Sequence, residues 1–378
     1  MTKQRILCSL PALPDRTTGG GVLLYEVLCY LASRGEIHVC IPVPCHLTTS
    51  FSALKNDPAF AAVHWHELAE AVSPSRLARA ARLLAWTPVE VLKFSSPANA
   101  AVLAASRAEL CPTAELLISS RAIAAYAGYR LPATTRLYMM DIDPHIVRYD
   151  GRSLKRRISA ALERPKVDRL CRKALALAGR VGAISQADVP ELNRMGRRQD
   201  VRYVPPLMRP QPADRRNVDD FHVLITTNFS YHPNVMALRW FLEMCWPHVD
   251  RRASLTVTGV DVDDSLRRLC GANERVTYAG CLPRPQLDAM YGRVSLAVNP
   301  TRSGSGFQIK LLDAIARGVP IVSTAFSNRV GPAIASSDDP VELARLINAR
   351  LIPDTMPAFD YPAFYESALR AWDSFLFE

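Results

Sequence analysis

Short apolar runs alternate with helix-length segments along nearly the whole chain, and this alternation constrains the fold more than any single motif. RILCSLPAL (5–13) reads as a buried strand, the turn-rich PDRTTGGG follows, VLLYEVLCYLASRG has helical length, and EIHVCIPV reads as the next buried strand. Strand, glycine loop, helix and strand in that order build a right-handed parallel crossover. ELLISS (115–120), TRLYMMD (135–141), GRVGAIS (179–185) and VRYVPP (201–206) extend the pattern. LMRPQPADRRNVDD (207–220) then breaks it, being polar, proline-bearing and without a hydrophobic period, and reads as a linker. The alternation restarts with FHVLITT, NVMALRWFLEMCW, ASLTVTG, DDSLRRLC, RVTYAG, PQLDAMY, VSLAVNP and PIVST. The expectation is an α/β protein of two Rossmann-like parallel-sheet domains, residues 1–207 and 208–360. In the tail, residues 361–378, Phe364, Leu369, Trp372 and Phe375 recur near helical spacing and predict a final helix that buries one face.

Composition narrows the function classes. The 378 residues are 49% hydrophobic and 22% charged, enough apolar material for about two ordinary domains. Nowhere do about 18 apolar residues run uncharged, and MTKQRILCSLPALPD is too broken for a secretory signal, so the expected location is the cytoplasm. Nine cysteines are scattered singly without a C-x-x-C pair, which reads as reduced, mostly buried thiols and not as a metal site. A net charge of +10 favours anionic partners. Arg76, Arg79 and Arg82 recur on one helix face beside Leu77, Leu83, Leu84 and Trp86. That face reads either as a solvated surface or as a dock for an anionic membrane. No aromatic-interleaved basic motif is present, so nucleic acid is not an expected partner.

Several stretches carry candidate chemistry. Gly19, Gly20 and Gly21 follow the first strand, where glycines let a phosphate or sugar approach a helix start. They fail as a dinucleotide fingerprint, because Leu24 occupies the third glycine position and HVCIPVP ends without an acid. Asp141-Ile142-Asp143 ends a strand where ligands of open α/β sheets bind, and His145 stands two residues on. Two carboxylates so spaced could hold Mg²⁺ or Mn²⁺. Asp261-Val262-Asp263-Asp264 opens a helix and reads as capping. No G-x-S-x-G elbow, Walker loop or H-E-x-x-H motif occurs.

NPTRSGSGFQIKLLDAIARGVPIVST (299–324) is the richest stretch. A helix beginning near Gly306 would aim the free amides of Gly306, Phe307, Gln308 and Ile309 at an anion. Lys310 and Asp313, three residues apart, would project from one side of it. That pair reads either as a surface ion pair or as a grip on a nucleoside diphosphate, the ammonium on phosphate and the carboxylate on ribose.

These residues resemble retaining glycosyltransferases of the GT-B fold, specifically family 4. GSGFQIKLLDAIARGVPIVST is similar to the family's donor motif, NFSYHPNVMALRWFLEMCWP (228–247) to its aromatic-P-N helix, and GRVGAISQADVPEL with VRYVPP to the end of its first domain. The resemblance implies two domains facing a cleft, with the nucleotide sugar on the second, the acceptor on the first, and the last helix crossing back. It implies donor contacts from Gly20, Gly21, Asn228, Phe229, Arg302, Gly304, Ser305, Gly306, Phe307, Gln308, Lys310 and Asp313. Catalysis would fall to Lys310, with Asp143 and His145 near the family's catalytic-loop histidine. The family's paired glutamates, eight apart, are here Ser305 and Asp313, and the glycine that usually opens the second segment is Thr227. The implied reaction retains anomeric configuration and uses neither metal nor cofactor beyond the donor. A saccharide or lipid-linked acceptor, bacterial surface polysaccharide and a peripheral place on the inner membrane face complete that expectation. Two alternatives stay open: a catalytically silent sugar- or nucleotide-binding relative, and a metal-dependent transferase using Asp141 and Asp143.

Overall fold

A computed structural model describes residues 4–16, 18–70, 87–92, 94–125, 131–142, 154–260, 264–304, 306–331, 333–351 and 359–378. Two compact units divide the chain. The first comprises 1–16, 20–207 and 368–378, and the second 17–19 and 208–367.

The first unit is built on β1 (Gln4–Ser9), β2 (Gly35–Val43), β3 (Val63–Ala69), β4 (Ala114–Ile118), β5 (Thr135–Met139), β6 (Arg180–Ala183) and β7 (Arg202–Tyr203). They form one sheet in the order β3-β2-β1-β4-β5-β6-β7, with every pairing parallel. Strands covered on both faces should be apolar throughout, and Ile6, Leu7, Cys8, Leu116, Leu117 and Leu137 accordingly have almost no exposure. β3 is the exception. Its VHWHELA mixes polar and apolar residues, only Val63 and Leu68 are buried, and it forms the sheet edge. Sequence reading passes over this strand because it lacks the continuous apolar run of its neighbours.

The second unit carries β8 (Asp219–Asn228), β9 (Ser254–Val260), β10 (Val276–Tyr278), β11 (Val294–Asn299), β12 (Ile321–Ser323) and β13 (Ala335–Ser336). Their order is β10-β9-β8-β11-β12-β13, again with every pairing parallel. The strand order reverses between β8 and β11, so the carboxyl ends of those two strands flank the switch point where such sheets bind ligands. The two-sheet α/β architecture expected from the alternation is therefore present.

The final helix, Tyr361–Phe377, buries Ala368, Trp372, Phe375 and Leu376. Within the first unit, the Trp372 indole donates to the Pro205 carbonyl at 2.8 Å and its ring lies 4.6 Å from that of Tyr138. Asp373 accepts from Tyr30 and from Arg34, each at 2.7 Å. Gly182 makes room for this helix, because a Cβ there would stand 3.1 Å from the Phe375 ring. No helix among the described residues is long and apolar enough to cross a membrane. The arginine face at 76–82 lies outside the described residues. Because Trp372 fills a closed site, Trp372→Ala should cost about 3–5 kcal/mol, measurable as a lowered urea midpoint of the first unit's transition.

Candidate donor site

At the switch point of the second unit, β8 ends in Thr227-Asn228 and β11 ends in Asn299, followed by Thr301 and the glycine loop. Gly304 and Gly306 adopt φ of 131° and 71°, conformations that side chains rarely tolerate. At Gly304 a Cβ would also press within 3.1 Å of the Tyr231 hydroxyl. The loop is thus committed to glycine at these positions.

Lys310 is the centre of this region. Its Nζ donates to Thr301 Oγ1 at 2.8 Å, Asn234 Oδ1 at 3.1 Å and Thr227 Oγ1 at 3.2 Å. The acceptors come from the end of β8, the helix His232–Trp240 and the segment after β11, so one ammonium ties both sides of the switch point together. Three neutral oxygens satisfy its three donors, yet none supplies a counter-charge. Burial accordingly pulls the ammonium down to about 7. The supporting shell is itself fixed: Thr301 donates on to Asn299 Oδ1 at 2.8 Å, and Asn234 Nδ2 donates to the Asn228 carbonyl at 2.7 Å.

The helix that carries Lys310 runs Ile309–Ile315, starting three residues later than the glycine spacing suggested. Gly306, Phe307 and Gln308 therefore belong to the preceding loop, Gly306 and Phe307 buried and Gln308 half-buried. The positive φ of Gly306 explains the delay, since a left-handed residue cannot open a right-handed helix. Nor do Lys310 and Asp313 share a partner. Asp313 Oδ1 meets Arg317 Nη1 at 2.6 Å and Arg284 Nη2 at 3.4 Å. Burial pushes its carboxyl up to about 6 while Arg284 pulls the other way. Arg317 is almost fully enclosed and also binds Asp288 at 2.9 Å and Gln211 Oε1 at 3.1 Å. Gln211 and Ala213 donate backbone amides to Ala316 and Arg317 carbonyls at 2.9 and 3.1 Å, so the former linker segment is stitched to this helix.

The other expected residues fall in differing surroundings. Phe229 is fully buried among Val223, Leu238 and Phe241 in the second unit's core, so its ring packs the fold instead of facing a ligand. Asn228 stands at the strand end, its Oδ1 accepting from the Ser230 amide at 2.8 Å. Arg302 is exposed, with its guanidinium 4.4 Å from the centre of the Trp240 ring. Gly20 and Gly21 lie in the first turn of the helix Gly19–Arg34; Gly20 is open, whereas a Cβ on Gly21 would collide with the Asp15 carboxylate. Asp141 is half-buried just beyond β5, and Asp143, His145 and Ser305 lie outside the described residues. Sequence reading missed Asn234 and Thr301 as ligands of Lys310. Thr227 did carry a signal, standing where the resembled family usually has glycine.

The fold is the two-sheet GT-B architecture, as solved structures of glycosyltransferases have it. Residues 220–351, which hold the whole Lys310 cluster, match the family described as Glycosyl transferases group 1. Three solved structures show the likeness along almost the full chain. S. aureus TarM, in complex with Fondaparinux, alpha-GlcNAc-glycerol and UDP, superposes with a TM-score of 0.65 at 8% identity, covering 99% of each chain. Sucrose-phosphate synthase from Thermosynechococcus elongatus gives 0.63 at 15% identity over 98% of this chain and 93% of the other. Anabaena HepE in complex with UDP and glucose gives 0.58 at 15% identity over 98% and 94%. No curated protein matches the chain in sequence. The resemblance read from the donor motif thus stands for the fold and for the second unit.

Asp313→Asn should leave Arg317 buried with Asp288 as its remaining carboxylate. The expected loss is about 2 kcal/mol, below the full cost of orphaning a buried ion because Asp288 stays. Guanidinium unfolding of wild type and variant would measure it.

Proposed function

We propose that the protein transfers a sugar from a nucleoside diphosphate donor to a saccharide or lipid-linked acceptor. The observation that carries this reading is the Lys310 ammonium, held at the switch point by Thr227, Asn234 and Thr301 without a carboxylate. A diphosphate would supply the missing negative charge, and the family match of residues 220–351 supports a nucleotide sugar as its source. That HepE and TarM were solved with UDP favours a uridine donor as the first to test.

In the reaction, the bond between the anomeric carbon and the phosphate oxygen breaks, and a bond to the acceptor oxygen forms. The electron pair leaves with the diphosphate, which also takes the acceptor proton. Lys310 counters the charge that develops on the leaving group, a contribution that grows as the bond breaks and so lowers the barrier. Arg302 adds a second positive charge on the same loop, and Asp313, its orientation set by Arg284 and Arg317, accepts from the ribose hydroxyls. Asp143 and His145 act on the sugar and acceptor side. We further propose attack on the face the diphosphate leaves, hence retention, with no divalent cation in the transfer step. An acceptor in bacterial surface-polysaccharide synthesis would place the protein on the inner membrane face, with Arg76, Arg79 and Arg82 toward anionic lipid.

Incubation with radiolabelled UDP-sugars and a panel of saccharide acceptors should release UDP and label the acceptor. Lys310→Ala should lower kcat/KM at least about tenfold, or 1.4 kcal/mol, without lowering the melting temperature. Binding without release of UDP by the wild type would instead support a silent nucleotide-binding protein. Proton NMR of the product's anomeric signal decides retention, and buffer freed of Mg²⁺ and Mn²⁺ should leave the rate unchanged.

A further inference from the structure

The edge of the first sheet gathers three histidines and two acids that the donor site does not use. β2 and β3 pair so that His38 stands directly opposite His64 and Cys40 opposite His66. Residues two apart on a strand share a face, so Glu36 and His38 on β2 meet His64 and His66 on β3 on one side of the sheet. The His38 and His64 rings stack with centroids 4.6 Å apart, and those of His38 and His66 at 4.9 Å. His38 Nε2 lies 3.7 Å from Glu36 Oε1, while His38 Nδ1 and His66 Nε2 share a hydrogen bond of 2.9 Å. Glu109, on the helix Pro97–Leu110, adds negative charge near His38 and His66.

Three like rings pressed together would repel if protonated, and burial adds to that cost. A neutral imidazole offers one ring nitrogen lone pair to a metal. From Glu36, His38 and His64, one donor atom each lies within 4.8 Å of the others. A tetrahedral zinc with bonds of about 2.0–2.1 Å needs ligand atoms about 3.3 Å apart. Glu36 and His38 nearly meet that already. His64 and Glu36 are exposed, so their side chains can close the remaining distance without disturbing the core.

We propose that Glu36, His38 and His64 form a binding site for a zinc-class divalent transition metal, with the fourth position open to solvent and His66 as the positioning residue behind His38. Two imidazoles and one carboxylate suit a borderline-soft cation and disfavour Mg²⁺ or Ca²⁺, which take all-oxygen shells. His66 gives the site its tautomer. For His38 Nε2 to bind metal, its proton must sit on Nδ1 and be donated to His66 Nε2, and the 2.9 Å contact provides that acceptor. The metal would clip edge strand β3, otherwise paired only with β2, to the rest of the sheet. The inference is independent of the transfer reaction.

Untagged full-length protein, stripped with chelator and titrated with ZnCl₂ by calorimetry, should show one site per chain with Kd below about 100 µM. Co²⁺ should give visible absorption of a four-coordinate centre at the same stoichiometry. His64→Ala changes an exposed side chain and should fold, yet lose both signals. His66→Gln should weaken binding about 10-fold or more while keeping the 1:1 stoichiometry. Zinc should raise the wild-type melting temperature by about 5 °C at 100-fold excess over Kd and leave His64→Ala unmoved. No saturable binding, or an unchanged isotherm in His64→Ala, would overturn the proposal, the latter assigning the metal to another site such as the exposed thiols of Cys111 and Cys281.

Discussion

A single ammonium organises the second unit's ligand face. Lys310 reaches from a short helix to both strands at the point where the sheet order reverses, and its three hydrogen bonds fix those strand ends against each other. Hydrogen bonds to neutral oxygens satisfy geometry but leave the desolvation of the charge uncompensated. Under the function proposed above, a bound diphosphate would supply that missing negative charge. The glycines at 304 and 306 shape the loop that precedes the Lys310 helix, both with positive φ.

The neighbouring carboxylate is treated in the opposite way. Asp313 is compensated twice over by Arg317 and Arg284, and through Arg317 it is joined to Asp288 and Gln211. One turn of helix separates a cation without a counter-ion from an anion with two. This asymmetry keeps the pair from neutralising itself, which a simple Lys310–Asp313 surface bridge would have done. It also ties the segment after residue 207 to the body of the second unit, so the polar stretch that reads as a linker is in part a structural strap.

The α/β alternation was legible because parallel strands covered on both faces need a buried apolar run, as Ile6–Cys8 of β1, Leu116–Ile118 of β4 and Leu296–Val298 of β11 supply. The glycine loop at 304–306 was legible as a loop, since Gly304 and Gly306 take conformations that favour glycine. Three features were not. The helix start moved from Gly306 to Ile309 because a glycine with φ of 71° cannot join a right-handed helix, and spacing alone does not reveal the sign of φ. Phe229 read as a ligand contact because an aromatic before P-N has the family's pattern, whereas its burial depends on tertiary packing against Val223 and Phe241. β3 was lost because an edge strand need not be apolar throughout, and its polar positions include His64, opposite His38, and His66, opposite Cys40.

The account rests on the state of the Lys310 ammonium. Selective isotope labelling of lysine and NMR titration of its Nζ would read that state directly. A pKa near 7 is expected in the free protein, rising toward the ordinary lysine range when UDP is added. An ordinary lysine value without nucleotide, or a titration that UDP leaves in place, would contradict it.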